Sequence, residues 1–256
     1  MVDCIIQARM GSSRLPGKVM MKIDSKNSVL DLIINQLKYS KFLENIIIAT
    51  TSKTEDDVIE KFCLKNSLRC FRGSEKDVLD RYYQCSKKFN LKHIIRITAD
   101  CPLIDPEIVD KVIEKYKVGQ FDYFTNILIR TFPIGTDVEI FSFETLEKMW
   151  KDAKLPSERE HVTTYIRNKK LDCKFGNLEN VEKLGNLRFT LDRYEDLQLI
   201  KKITSKIHKN PILIKDVIKI VTDYPELLEI NKNVENDEGM KKSLKIDSEY
   251  LNKKIT

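Results

Sequence analysis

The sequence predicts an α/β protein, a single Rossmann-like, doubly wound and mostly parallel sheet with an irregular α+β second half. Three observations carry this. Short apolar runs alternate with segments of helical periodicity four times in roughly the first half of the 256 residues. Those runs are almost continuously apolar, as strands buried on both faces are. The first of them breaks at its carboxyl end into a loop of Gly, Ser and Pro, the place where an open α/β sheet holds a ligand.

Taken in order, Cys4-Ile5-Ile6 opens the first strand, and Val29 to Leu37 places apolar residues at helical spacing after Ser28, a capping residue. Glu44 to Thr50 is the second strand, and Thr54-Glu55-Asp56-Asp57 starts a helix with acids in its first turn, as the helix dipole favours. Arg69 to Arg72 is the third strand, followed by a helix from Val78 to Phe89. His93 to Thr98 is the fourth, stopping at Ala99-Asp100-Cys101-Pro102, and Asp105-Pro106-Glu107 opens the next helix with Pro at its first position. The pattern then loosens. Phe121 to Phe124, Thr136 to Phe141, Lys174-Phe175 and Leu187 to Leu191 read as strands. Ser142 to Trp150, Glu158 to Asn168, Tyr194 to Ile207 and Ile214 to Thr222 read as helices. With no internal repeat and no linker, residues 1–225 form one domain, with a nucleotide-binding half (1–120) and a second half (121–225). Residues 226–256 are a C-terminal extension of little periodicity, expected to dock on a partner or stay mobile.

Composition bounds the function. A hydrophobic share of 41% builds a core, while 33% charged residues and a mean hydropathy of −0.36 describe a soluble protein. The net charge of +6 is spread along the chain, without the concentrated basic face and interleaved aromatics of a nucleic-acid binder. Met1-Val2-Asp3 does not open a signal peptide, and no apolar run is long enough to span a bilayer. Six cysteines without a C-x-x-C pair are expected to be reduced core residues of a cytoplasmic protein.

The loop after the first strand carries the chemistry. Arg9, Arg14 and Lys18 stand among Gly11, Ser12, Ser13, Pro16 and Gly17. Small residues let backbone N–H groups approach phosphate oxygens, and the cations offset their charge, so the loop predicts a triphosphate site. It is not a Walker A loop, because five residues rather than four separate Gly11 from Gly17 and Val19 follows the lysine. Asp100, at the end of the fourth strand, falls on the same sheet edge, and a carboxylate facing a triphosphate is most simply a magnesium ligand. Asp192, in Phe189-Thr190-Leu191-Asp192-Arg193, repeats the strand-then-Asp grammar and is the candidate second ligand. Glu195 and Asp196 read as first-turn helix residues.

The run Ile6-Gln7-Ala8-Arg9 through Arg14-Leu15-Pro16-Gly17-Lys18 resembles the signature of the sugar-acid cytidylyltransferases, the 3-deoxy-manno-octulosonate and acylneuraminate enzymes. It is most similar to their spore-coat polysaccharide branch, over residues 3 to about 224. The resemblance implies the nucleotide-diphospho-sugar transferase fold and CMP transfer from CTP to a sugar-acid hydroxyl for polysaccharide or glycan synthesis. By the same resemblance Ala8, Arg9, Gly11, Ser12, Ser13, Arg14, Lys18 and Ala99 contact the nucleotide, with Ser74 and Arg81 of Phe71-Arg72-Gly73-Ser74 to Arg81 at the base. Arg9, Arg14, Lys18 and Asp100 then serve catalysis, and Asp100 and Asp192 hold Mg2+. Asn126, Thr136, Glu139, Arg159 and His161 fall on the segments that would face the sugar. A homodimer is implied as well. Two other readings stay open: a nucleotidyltransferase using another NTP or a sugar phosphate acceptor, and a nucleotide-binding regulatory subunit that has lost catalysis.

Overall fold

The computed structural model describes residues 1–255; Thr256, the last residue of the C-terminal extension, lies outside them. One seven-stranded sheet runs through the molecule in the order β3-β2-β1-β4-β6-β5-β7. Its strands are β1 (Asp3–Gln7), β2 (Asn45–Thr51), β3 (Arg69–Gly73), β4 (His93–Thr98), β5 (Tyr123–Thr125), β6 (Glu139–Ser142) and β7 (Phe175–Asn177). The helices are α1 (Val29–Leu37), α2 (Asp57–Lys65), α3 (Val78–Lys88), α4 (Pro106–Gly119), α5 (Phe143–Asp152), α6 (Pro156–Glu160), α7 (Thr164–Arg167), α8 (Tyr194–Ser205), α9 (Ile214–Asp223) and α10 (Glu238–Ile255). β1 to β4 are mutually parallel, and β6 alone runs antiparallel to its neighbours.

The alternation of the strands builds two cores. Cys4, Ile6, Ile48, Ile95 and Ile97 enter the layer of α1, α2, α4, α8 and α9, while Ile5, Ile47, Ala49 and Ile94 enter that of α3 and α5. Local signals fix the ends as the sequence predicts. The Ser28 hydroxyl and the Asp31 carboxylate cap α1 reciprocally, and Asp105 accepts the Glu107 N–H at 2.7 Å to cap α4.

Three expectations fail, two in the second half and one in the C-terminal extension. Leu187 to Leu191 is not a strand: it makes a single bridge, Arg188 to Ile134, and its end turns to donate the Leu191 N–H to the Asp100 carbonyl at 2.8 Å. Gly135 makes the approach possible, since at φ 100° any Cβ there would stand 2.5 Å from the Thr190 nitrogen. The helix expected over Glu158 to Asn168 breaks into α6 and α7 at Val162, whose φ of 58° is a strained left-handed conformation for a β-branched residue. The C-terminal extension is not devoid of regular structure. α10 lies on α6, and Asp247 accepts the Ser157 N–H at 2.8 Å and its hydroxyl at 2.5 Å.

Candidate active site

The strand order reverses direction between β1 and β4, and their carboxyl ends stand together with Gln7 opposite Thr98. The Ala99 N–H still donates to the Gln7 carbonyl at 3.1 Å, so the loops that follow leave the sheet side by side. A cleft of about 870 Å³ opens above this edge. Ala8, Arg9, Ser12, Ser13, Arg14 and Lys18 form one wall of it, and Ala99 and Asp100 its neighbour.

The loop owes its shape to two anchors. The Met10 carbonyl accepts N–H groups from Ser12 and Gly17, each at 2.8 Å, and the Met10 N–H donates to buried Asp56 at 2.6 Å. Gly17, at φ 72°, turns the chain so that Lys18 points back beneath the loop. Lys18 is only 8% exposed, and its ammonium lies 2.6 Å from the Leu191 carbonyl, 2.9 Å from Asp192 and 3.5 Å from Asp100. Arg14 reaches Asp192 at 2.5 Å, and Arg188 reaches the other oxygen of the same carboxylate at 3.3 Å. Burial would raise the Asp192 pKa, but Lys18 and Arg14 hold it down to about 2. Sequence positions 18, 100 and 192 thus meet at one point.

These carboxylates are the hard oxygen donors that Mg2+ takes. Asp100 fits that use best, because it faces the cleft with Lys18 as its cationic neighbour, whereas Asp192 already meets Arg14, Lys18 and Arg188. Among the described residues no cluster of three or more His, Cys, Asp or Glu forms a cage. Mg2+ held by one or two carboxylates and substrate phosphates needs none.

The other expected residues divide into cleft walls and buried supports. Ser74 and Arg81 stand behind the wall: Arg81 is buried and donates to the Ser74 carbonyl at 2.9 Å, and the Ser74 hydroxyl accepts the Asp77 N–H at 3.1 Å. Gly11 also lies outside the lining, where a Cβ would meet Glu55 at 2.7 Å. Asn126 and Thr136 are buried. Asn126 ties two backbone segments through the Thr136 carbonyl and the Val138 N–H, and the Thr136 hydroxyl donates to Pro133. Glu139 is buried beneath the floor, accepting the Tyr123 and Thr163 hydroxyls at 2.6 Å and pairing with Arg96. Arg159 and His161 do line the cleft. Arg159 pairs with Asp77 and donates to the Trp150 carbonyl at 2.7 Å. His161 shares a 2.9 Å hydrogen bond with the Ser243 hydroxyl, and burial, then Arg96 and Arg167, push its pKa down to about 4.

Two parts of the wall went unmarked by sequence reading. One is Arg96, the lone arginine in the apolar run of β4, where its interruption of the pattern was a usable signal. The other is the first turns of α10, which bring Glu238, Gly239, Lys242 and Ser243 to the cleft. Glu238 lies 3.9 Å from Arg14 and 2.9 Å from Arg193, and a Cβ at Gly239 would stand 3.4 Å from the Arg14 guanidinium. No local signal announces that contact.

Residues 4–242 match the family model described as cytidylyltransferase. An uncharacterised protein of Methanocaldococcus jannaschii is 39% identical over 90% of this chain and 94% of its own length. The spore coat polysaccharide biosynthesis protein SpsF of Bacillus subtilis is 36% identical over 87% of this chain and 94% of its own. The solved structure of a cytidylyltransferase from Leptospira borgpetersenii serovar Hardjo-bovis superposes with a TM-score of 0.84 at 36% identity, covering 89% of this chain and 96% of that one.

Proposed function

The chain belongs to the cytidylyltransferase family, and from that premise we propose that it transfers CMP from CTP to the hydroxyl of a sugar acid, releasing pyrophosphate, in the synthesis of a cell-surface polysaccharide or glycan. The observation that carries the reading is the meeting of Arg14 and Lys18 with Asp100 and Asp192 at the β1–β4 edge. In-line displacement at phosphorus asks little covalent chemistry of a protein, so the work is positioning and charge neutralisation.

Arg9, Arg14 and Lys18 receive the triphosphate, and Ala8, Ser12 and Ser13 leave room for backbone N–H groups to approach it. The two arginines are paired with carboxylates across the cleft, Arg9 with Glu160 at 3.1 Å and Arg14 with Asp192. Phosphate oxygens take over from those carboxylates on binding. Lys18 stays beneath the leaving pyrophosphate and offsets its growing charge. Asp100, with Asp192, would hold Mg2+, which when bound neutralises phosphate charge and makes the α-phosphorus more electrophilic. The acceptor sits on the side of Arg159, His161 and α10. Above about pH 4 His161 is neutral and orients rather than carries charge.

The reading includes a homodimer acting in the cytoplasm; sedimentation of the purified chain checks the first. CTP labelled at its α-phosphorus tests the chemistry. The label should appear in the sugar product, and label at the γ-phosphorus should appear in pyrophosphate. Transfer of the γ-label to the sugar would mean a kinase and end the reading.

A further inference from the structure

Beneath the acceptor side of the cleft lies a charge imbalance. Glu139 is fully within the protein and lowered in pKa: burial would raise it, but Arg96, Arg167 and the hydroxyls of Thr163 and Tyr123 together outweigh burial. Arg96 forms an ion pair with Glu139, while Arg167 has a single hydrogen bond, to the Thr164 hydroxyl at 3.3 Å. Two guanidinium groups therefore face one carboxylate. Among the described residues the Nε–H groups of both arginines are buried and have no partner, which is costly for a donor removed from water. Their field also helps keep the neighbouring His161 uncharged.

Arg96 alone of this group lines the cleft, with 13% of its side chain exposed. Its strand, β4, lies on the side of the phosphate loop away from β2 and β3, and its backbone pairs with Glu139 of β6. The cations of the phosphate loop already have carboxylate partners. Arg96 is held rigidly by Glu139 below and by the Tyr82 ring, 6.0 Å from its guanidinium carbon. A guanidinium fixed in this way, with donors to spare, suits a planar carboxylate.

We propose that Arg96 is the specificity-determining residue that binds the carboxylate of the acceptor and so makes the site select an acid over a neutral sugar. This rests on the proposed CMP transfer to a sugar acid. The carboxylate gives the Arg96 guanidinium a second anionic partner beside Glu139.

The test is steady-state kinetics with a sugar acid and the same sugar with its carboxyl reduced to an alcohol. The enzymes are wild type, Arg96→Gln, Arg96→Lys and the double variant Arg96→Gln with Glu139→Gln, which removes the buried pair together and guards against misfolding. Arg96→Gln should raise the KM for the acid about 10- to 100-fold, as expected for a lost charged hydrogen bond. The KM for CTP should stay within about twofold, and the preference for acid over alcohol should collapse. Arg96→Lys should recover part of that preference, and the folded double variant should lack it. Wild-type turnover of acids with an unchanged preference in Arg96→Gln or in the double variant would overturn the proposal alone. An equal KM rise for acid and alcohol would do the same. Wild-type turnover of neutral acceptors only, or none with CTP, would overturn it together with the reading on which it rests.

Discussion

On the β1–β2–β3 side of the cleft, most of the lining groups come from one loop that begins where β1 ends, joined by Lys76 and Asp77 after β3. On the β4–β6 side they come from the middle of a strand, from a five-residue helix and from a helix 82 residues further along the chain. The first wall is made by chain direction, because parallel strands deliver their following loops to one edge whatever the rest of the protein does. The second is made by tertiary packing, through His161 on Ser243 and Ser157 on Asp247. A wall of the first kind keeps its chemistry under wide change elsewhere. A wall of the second kind can be re-cut residue by residue, which suits the acceptor-choosing role proposed for that half.

The sharpest break of this comparison is Asp100→Ala. It should lower kcat by about 10²–10³, the scale of losing one charge-stabilising group, with little change in unfolding temperature because Asp100 is partly exposed. Activity near wild type in a folded variant would remove Asp100 from the chemistry.

Acid should separate the halves. The His161 pKa lies at about 4 in the fold against 6.5 in a free side chain, so the unfolded chain binds the extra proton first. Stability is therefore complete above about pH 6.5 and is lost as pH falls towards 4, by up to about 3 kcal/mol. For Asp192, held at about 2 against 3.8, the loss falls between about pH 4 and 2. Denaturant unfolding between pH 7 and 4 should show the first loss in wild type and a flatter profile in His161→Gln. Parallel profiles would mean that the histidine does not report the packing of α10.

Lys18→Ala should weaken CTP binding by about 1–3 kcal/mol, read by calorimetric titration; unchanged affinity would show that the loop does not cradle phosphate. Smallest of all, Glu238→Gln should tighten CTP about two- to fivefold, because Glu238 stands near Arg14 and competes for it. Weaker binding would mean that α10 supports the loop rather than restrains it.

The same contrast explains what the sequence disclosed. Four strand–helix units, the cationic loop after β1 and Asp100 are periodic or local features, and the sheet holds them where the pattern predicts. Asp192 was legible as an Asp at the end of an apolar run, although the run is not a strand; a glycine turn and the Asp100 carbonyl steer it instead. Asn126, Thr136 and Glu139 came with the family resemblance, which marks positions and cannot distinguish a wall from the buried bonds behind it. α10 escaped because its amphipathic pattern is weak and its contacts are distant in sequence, with Gly239 valuable only beside Arg14. Arg96 could have been noticed, since an arginine inside an apolar strand needs a partner.

Pyrophosphate release is the direct measure of the central claim that one cleft joins CTP to an acidic acceptor. With Mg2+ present, each of the four NTPs is offered with a panel of sugar acids, neutral sugars and sugar phosphates. The account predicts release with CTP and a sugar acid alone. Release with another NTP, or with a sugar phosphate in place of the acid, would contradict it.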